Sequence, residues 1–178
     1  MKMHKTSSLA VVALLSFMCP VASAQTVRIG TASGVRGQTV SVPVTLTATT
    51  SHTAALVRVQ YNAAVLESPS LTAGALLSKS HMPDSYAAAA GRFNVAAYAS
   101  SGMPSFKAKS GTLFTLIFRI KTTAPIGPSP IIFTAVGAPG LPSSDLVGVA
   151  GNVVSPSAIA GSVTVGATAA QDSWLLYP

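Results

Sequence analysis

The sequence predicts an all-β protein built as a sandwich of two packed sheets. From Val27 to Val165, short runs of alternating apolar and polar residues recur, and Gly, Pro and Ser separate them. Alternation with a period of two is typical of strands that bury one face and expose the other. No long helical pattern interrupts the series. About nine short strands in a domain of this length indicate a two-sheet sandwich.

The first clear strand is predicted at 39–46 (TVSVPVTL), where three valines and a leucine share one face. Pro43 has no N–H to donate to a sheet ladder, so this strand is expected at a sheet edge or beside a bulge. Before it, 27–29 is expected as a short strand and the glycine-rich segment 30–37 as a turn.

Two further strands, 54–61 and 92–99, alternate in the same way. An unpaired arginine is costly to bury, so the face of 54–61 that carries Arg58 is expected to look outward. On 92–99, Phe93, Val95, Ala97 and Ala99 face one way, and Arg92, Asn94, Ala96 and Tyr98 face the other.

The other elements follow from the same patterns. Val65 and Leu66, in a turn at 62–67, are expected to fill the core. Four alanines at 87–90 suit a helix, but the run is too short to stand alone, so a strand is predicted there. The predicted strands are 71–77, 85–90, 112–121 (the strongest), 131–136 and 159–165. The predicted turns and loops are 48–53, 79–84 with Pro83, 100–110, a Pro/Gly-rich link through Pro130, and a loop through Leu146.

Residues 1–24 have the features of a secretory signal peptide. A basic start precedes an apolar run at 9–18, and Ala22-Ser23-Ala24 forms a small-residue cleavage site. A membrane anchor is the alternative, but the run is shorter than the ~20 residues that a span needs. A lipoprotein reading of Cys19 is disfavoured by the large residues before it. We therefore expect cleavage between Ala24 and Gln25 and secretion to the periplasm, the cell surface or the medium.

The expected mature chain comprises one domain at 25–166 and a tail at 167–178, with no transmembrane segment. Removing Lys2 and Lys5 from the eleven Lys and Arg residues leaves nine against four Asp and Glu. These cations are scattered, with few aromatic residues beside them, which excludes a nucleic-acid groove. The charge suits either an acidic partner or an ordinary solvated surface. The mature chain would contain no cysteine, which excludes thiolate metal sites and thiol nucleophiles.

No catalytic or cofactor-binding pattern is present, so we expect a protein that is not an enzyme and needs no cofactor. His52 and His81 are expected in polar loops. The sequence lacks a Gly-x-Ser-x-Gly elbow, a His-Glu-x-x-His motif and a calcium-binding loop of the EF-hand type. Its four carboxylates lie far apart in sequence, which does not suggest a glycosidase pair.

Several segments, in this order and spacing, resemble the cohesin family, the extracellular modules that hold dockerin-bearing enzymes in polysaccharide-degrading assemblies. Residues 37–44 (GQTVSVPV) look like the family's Gly-x-x-Val-x-x-Pro-Val opening. Residues 61–67 (YNAAVLE) resemble its Tyr-Asp-Pro-x-Val-Leu-Glu signature. The remaining similar segments are 111–121 with 125–127, 145–147, and 161–165 (GSVTV).

The resemblance implies a nine-stranded jelly-roll sandwich that binds a dockerin-type protein partner and takes part in polysaccharide breakdown. The face with Leu56, Arg58, Gln60, Arg92, Asn94 and Tyr98 is the implied binding face. The family's gripping polar positions correspond here to Ala54, Leu56 and Ser100, so a standard dockerin contact is altered. Two alternatives stay open: a carbohydrate-binding module, and a structural or adhesin-like envelope subunit that associates through a sheet edge or the apolar tail.

Overall fold

The computed structural model describes residues 25–99, 104–134 and 144–167. The predicted signal peptide, Ser100 and nearly all of the tail lie outside these residues. Every regular element within them is a β-strand. The strands are β1 (Thr26–Ile29), β2 (Thr31–Val35), β3 (Thr39–Thr47), β4 (His52–Tyr61), β5 (Ser70–Ala73), β6 (His81–Ala89), β7 (Arg92–Ala99), β8 (Gly111–Arg119), β9 (Gly127–Phe133), β10 (Ser144–Gly148), β11 (Val153–Val154), β12 (Ser157–Ile159) and β13 (Gly161–Gly166).

The strands form two sheets, which confirms the predicted all-β sandwich. The five-stranded sheet has the order β12-β1-β3-β8-β5. The eight-stranded sheet is built around β4. One edge of β4 pairs with β7, which pairs in turn with β6. The other edge is shared: its first half pairs with β10, which pairs with β11, and its last three residues pair with β9, followed by β13 and β2.

The core lies between the two sheets and is made by the inward faces of the alternating strands. Val57 and Val59 of β4 and Leu116 of β8 are completely buried. Phe118 of β8 meets Tyr61 edge to face, with ring centroids 5.2 Å apart. The isolated bridge between Leu66 and Ile120 closes one end of the core, and Leu66 is buried as predicted.

The two ends of the domain run side by side across both sheets. β1 pairs in parallel with β12 in the five-stranded sheet, and β2 pairs in parallel with β13 in the other sheet. Two predictions were therefore wrong in detail. Segment 30–37 is mostly the strand β2, with only a short turn after it, and 159–165 is the junction of β12 with β13. The strands β2, β12 and β13 form through pairing between the two ends of the domain, which local composition does not show.

Pro43 lies in a central strand, not at an edge. Its carbonyl accepts a hydrogen bond from the amide of Gly30, at the point where β1 ends and the chain leaves for the other sheet. The amide and carbonyl of one residue in an antiparallel strand point to the same side. The N–H group that Pro43 lacks would therefore point to the same side, just beyond the end of β1. No β1 residue lies there to accept a hydrogen bond from it. The bulge that the sequence also suggested is present beside Pro43, where the register shifts between Val44 and Thr45.

Four predicted loops and turns contain strand residues. Segment 79–84 includes the start of β6, where Pro83 is tolerated because β6 is the outermost of the described strands on its side of the sheet. The link before residue 131 includes the start of β9, whose two prolines pair only with β13 because β4 is reached from Ile131 onward. The loop through Leu146 includes the start of β10. Likewise, the turn 48–53 ends with the first residues of β4.

Candidate functional site

The six residues singled out from the sequence all lie on one surface, the side of the eight-stranded sheet that faces away from the five-stranded sheet. We call this surface the outer face. Arg58 is opposite Asn94 and Gln60 is opposite Arg92 in the β4–β7 register. The alternate residues of β4 are buried in the core, so the predicted orientation of Arg58 is confirmed. Asn94 is also buried, between Arg58 and Tyr86 of the neighbouring strands.

One row of the outer face is entirely apolar. Met82 is opposite Tyr98, and Val147 is opposite both Ala54 and Val153. The β4–β7 register, continued by one residue, places Ala54 beside Tyr98. The row therefore crosses β6, β7, β4, β10 and β11. Met82 is 55% exposed, Tyr98 43% and Val153 66%, so the row is accessible to a partner. We call it the apolar row.

The adjacent row has an acidic residue on each side of a small apolar centre. Asp84 is opposite Ala96 on β7, Ala96 is opposite Leu56 on β4, and Leu56 is opposite Asp145 on β10. Asp145 forms an ion pair with Arg58 at 3.4 Å, and the two side chains are 19% and 15% exposed. Leu56, Ala96 and most of the apolar row line a shallow trough of about 290 Å³.

Sequence reasoning missed both acidic residues and most of the apolar row. Asp84 and Met82 were assigned to a loop, although the alternation of Met82, Asp84 and Tyr86 would have extended the predicted strand 85–90 toward its start. Asp145 and Val147 lie on the short strand β10, whose partner β4 is distant in sequence. A search for period-two alternation across Pro83 could have found Met82 and Asp84. No local signal marks Asp145 and Val147.

The two acidic residues of the outer face do not have the spacing of a glycosidase pair. Asp84 and Asp145 are separated by the two strands β7 and β4, which places them about 14 Å apart. Glycosidase carboxylate pairs lie about 5–10 Å apart. The described residues bring no three His, Cys, Asp or Glu side chains together as a metal site. Within the same residues, no helix is long and apolar enough to cross a membrane.

The two histidines are not loop residues, as the sequence suggested, but lie buried at the starts of strands. His52 begins β4, and its Nε2 is 3.0 Å from Oε1 of Gln25. His81 begins β6, and its ring lies against Phe106 with centroids 5.0 Å apart. Both side chains are buried, so neither histidine offers an accessible group on the outer face.

Acidification is expected to destabilise the fold through His52. Burial lowers the pKa of His52 below its ordinary value of 6.5, and a hydrogen bond with the Thr50 backbone opposes this shift. Below pH 6.5 the unfolded chain therefore binds more protons at this histidine than the folded chain does, and stability falls until the pH passes the lowered pKa. Urea unfolding of the wild type and H52Q from pH 8 to pH 4 measures this contribution. Parallel curves for the two proteins would contradict it.

Loss of the Asp145 carboxylate is expected to lower the free energy of unfolding by about 1 kcal/mol, because the Arg58 ion pair is only partly exposed. The matched control is D84A. Asp84 is exposed on the same face and forms no ion pair with any of the described residues, so a change within about 0.5 kcal/mol is expected for it. Urea unfolding of D145A and D84A compares them. Equal losses in the two variants would show that the ion pair does not stabilise the fold.

Comparison with known proteins gives one family and one fold. The family model described as "Cohesin domain" matches residues 25–165. No curated protein sequence matches the chain. Among solved structures, the sixth cohesin of scaffoldin B from Acetivibrio cellulolyticus, in complex with a mutant Cel5 dockerin, is similar with a TM-score of 0.67 and 22% identity over 81% of this chain and 100% of that chain.

Two further structures show the same likeness. The seventh ScaB type I cohesin from Pseudobacteroides cellulosolvens has a TM-score of 0.67 and 20% identity, over 84% of this chain and 96% of that one. A non-cellulosomal cohesin from the archaeon Archaeoglobus fulgidus has a TM-score of 0.61 and 21% identity, over 82% and 93%. At these identities the structures establish the fold, and they confirm the predicted jelly-roll sandwich.

Proposed function

This chain belongs to the cohesin family, and from that premise we propose that it is a non-catalytic module whose outer face binds a dockerin-bearing protein. The observation that carries the proposal is the outer face itself. It is a continuous surface of β10, β4, β7 and β6 on which an exposed tyrosine, Tyr98, stands in an apolar row that lines most of a shallow trough. Tyrosine and arginine commonly anchor protein interfaces.

The printed descriptions of similar structures support the type of partner. The Acetivibrio cellulolyticus cohesin was solved with a dockerin, as was a type I cohesin–dockerin complex from Clostridium thermocellum. Ala54 and Leu56 replace polar residues that the family resemblance implies on β4. Binding by this chain therefore depends more on apolar contact, and less on hydrogen bonds from β4, than the resemblance alone would imply.

Dockerins encoded by the source organism, each titrated into the purified protein by calorimetry, test the proposal. We expect at least one to bind, and we expect Y98A to weaken that binding about tenfold or more. The matched control is I159A, because Ile159 is equally exposed, at 43%, but lies on β12 of the other sheet. Absence of binding by the folded protein, or equal affinities of Y98A and wild type, would refute the proposed site.

We further propose that the module acts outside the cytoplasm after cleavage between Ala24 and Gln25. Gln25 supports this boundary because it already belongs to the fold. It is buried, its side chain bonds to Thr50 and His52, and its carbonyl accepts from the amide of Ser157. The mass of the protein recovered from the source organism tests the boundary. A protein that retains residues 1–24 would overturn it.

The link to polysaccharide breakdown has two possible forms, an enzyme partner or direct sugar binding. Tyr86 and Tyr98 are the candidate residues for direct sugar binding. Both are exposed on adjacent strands of the outer face, and exposed aromatic rings can stack on sugars. Electrophoresis in gels that contain soluble polysaccharides separates the two forms. Retarded migration that Y86A abolishes supports direct binding, whereas unchanged migration leaves the dockerin-bearing enzyme as the link.

A further inference from the structure

The backbone direction of β6 follows from that of its neighbours. Two residues that lie opposite each other in an antiparallel pair point their N–H and C=O groups either both toward or both away from each other. The amide of Tyr61 donates to the carbonyl of Gly91, so alternate residues of β4, including Val57, point toward β7. Val57 is opposite Val95, which therefore points back toward β4. Ser85 of β6 is opposite Val95, so its N–H and C=O groups point away from β7, to the open side of β6.

The open side of β6 has lost its hydrogen-bond donors from residue 81 to residue 85. β6 is the outermost of the described strands here, and His81 and Pro83 point the same way as Ser85. The amide of His81 donates to the carbonyl of Ser78 at 3.0 Å. Pro83 has no N–H group. The amide of Ser85 donates to Oδ1 of Asp84 at 2.8 Å. This stretch of the described edge therefore presents acceptors without free donors.

A second strand could not pair well with this edge, because strand addition needs donors as well as acceptors. Two copies of β6 placed antiparallel, with Ser85 opposite Ser85, would place Pro83 opposite Ala87 of the second copy. In this arrangement Ser85 and Pro83 offer no amide to the other strand. Carbonyl groups of both strands would then stay unpaired within the contact, which opposes its formation.

The remainder of β6 is suited to self-pairing. The strand has nine residues, and residues 85–90 (SYAAAA) contain no charge and no proline. Tyr86 is 62% exposed, and Ala87 and Ala89 are exposed as well. The register shift between Ala87 and Ala89 comes only at the far end of the strand. Long, uncharged and exposed edge strands are those that pair with other chains.

We propose that the β6 edge is a closed self-association site, and that Asp84 and Pro83 keep it closed against a second copy of this chain. Asp84 acts by occupying the amide of Ser85, and not by its charge. This role accounts for a carboxylate that forms no ion pair with any of the described residues. The inference is independent of dockerin binding. It also limits the alternative of an envelope subunit, because association through this edge would first have to displace Asp84 from Ser85.

Sedimentation analysis over a range of protein concentrations tests the inference with two double variants, P83A/D84A and P83A/D84N. Both restore an amide at position 83 and remove the negative charge at position 84. The asparagine side chain keeps an oxygen that can accept from the amide of Ser85, whereas alanine does not. We expect P83A/D84A to self-associate about tenfold or more tightly than P83A/D84N and the wild type. D145A, which removes the other acidic residue of the outer face, is the control and should match the wild type.

Amide hydrogen exchange tests the hydrogen bond separately. The amide of Ser85 should exchange more slowly in the wild type and D84N than in D84A. Equal exchange rates in the three proteins, or equal self-association of the two double variants, would overturn the role of the Asp84 oxygen. If P83A/D84A self-associates no more than the wild type, the edge is not a closed site. Wild-type dimers that S85P dissociates would also overturn the inference, because the edge would then be open already. Circular dichroism verifies that each variant is folded.

Discussion

Replacing Phe118 with alanine is expected to lower the free energy of unfolding by about 4 kcal/mol, because Phe→Ala substitutions in a core remove buried area and leave a cavity. Phe118 is completely buried near the end of β8, opposite Val40 of β3. Its ring also meets Tyr61, at the end of β4, edge to face. Urea unfolding followed by fluorescence or circular dichroism measures the loss.

Y86A is the matched control for this substitution. Tyr86 is also a large aromatic residue in a strand, but its side chain is 62% exposed on the outer face. Its removal should change the free energy of unfolding by no more than about 0.5 kcal/mol. A loss below about 1 kcal/mol for F118A would mean that the ring is not part of a close-packed core. Such a result would also place the buried positions of β8 in doubt.

The parts of the fold that the sequence predicts well are those in which one strand alone carries the signal. β3, β4, β7 and β8 each have apolar residues at every second position, because one face of each is in the core and the other is not. Arg58 fixes the outward face of β4 for a simple reason, the cost of burying an unpaired charge. That one argument is sufficient to place Leu56, Arg58 and Gln60 on the outer face.

The parts that the sequence does not predict depend on pairing between distant segments. β2 contains a glycine and a serine and resembles a turn, but β13, near the other end of the domain, supplies its partner. β10 is short and exists as a strand because it pairs with β4. Asp145 and Val147 reach the outer face through that pairing. Alternation within one segment contains no information about register, so the rows of the outer face could not be derived from it.

The alternation of inward and outward residues along β4 explains how this chain can keep the cohesin scaffold while its outer face differs from the pattern that the family resemblance implies. Buried residues on β4 alternate with Ala54, Leu56 and Arg58, which touch the core less. Substitution at outward positions therefore changes the chemistry offered to a partner without changing the packing of the sandwich.

Gly161→Ala is expected to destabilise the protein by about 3 kcal/mol, near the upper end of the usual cost of overpacking. Gly161 starts β13, where the chain has just crossed from one sheet to the other. A methyl group there would collide with the carbonyl oxygen of Gly30 and with Ile29. The collision is with backbone and with a completely buried side chain at the parallel crossing of the two chain ends, so neither neighbour can move without disturbing β1 or β2.

Gly166→Ala is the control, because it makes the same chemical change in the same strand. A methyl group at Gly166 would meet its nearest neighbour at 3.8 Å, an ordinary contact distance, so little change in the free energy of unfolding is expected. If the two variants unfold at the same urea concentration, the chain ends do not approach each other as closely as the structure shows. If only G161A is destabilised, the close approach of Gly30 and Gly161 is a requirement of the fold. The requirement would arise because the two ends of the domain cross from one sheet to the other side by side, β1 to β2 along one segment and β12 to β13 along the other.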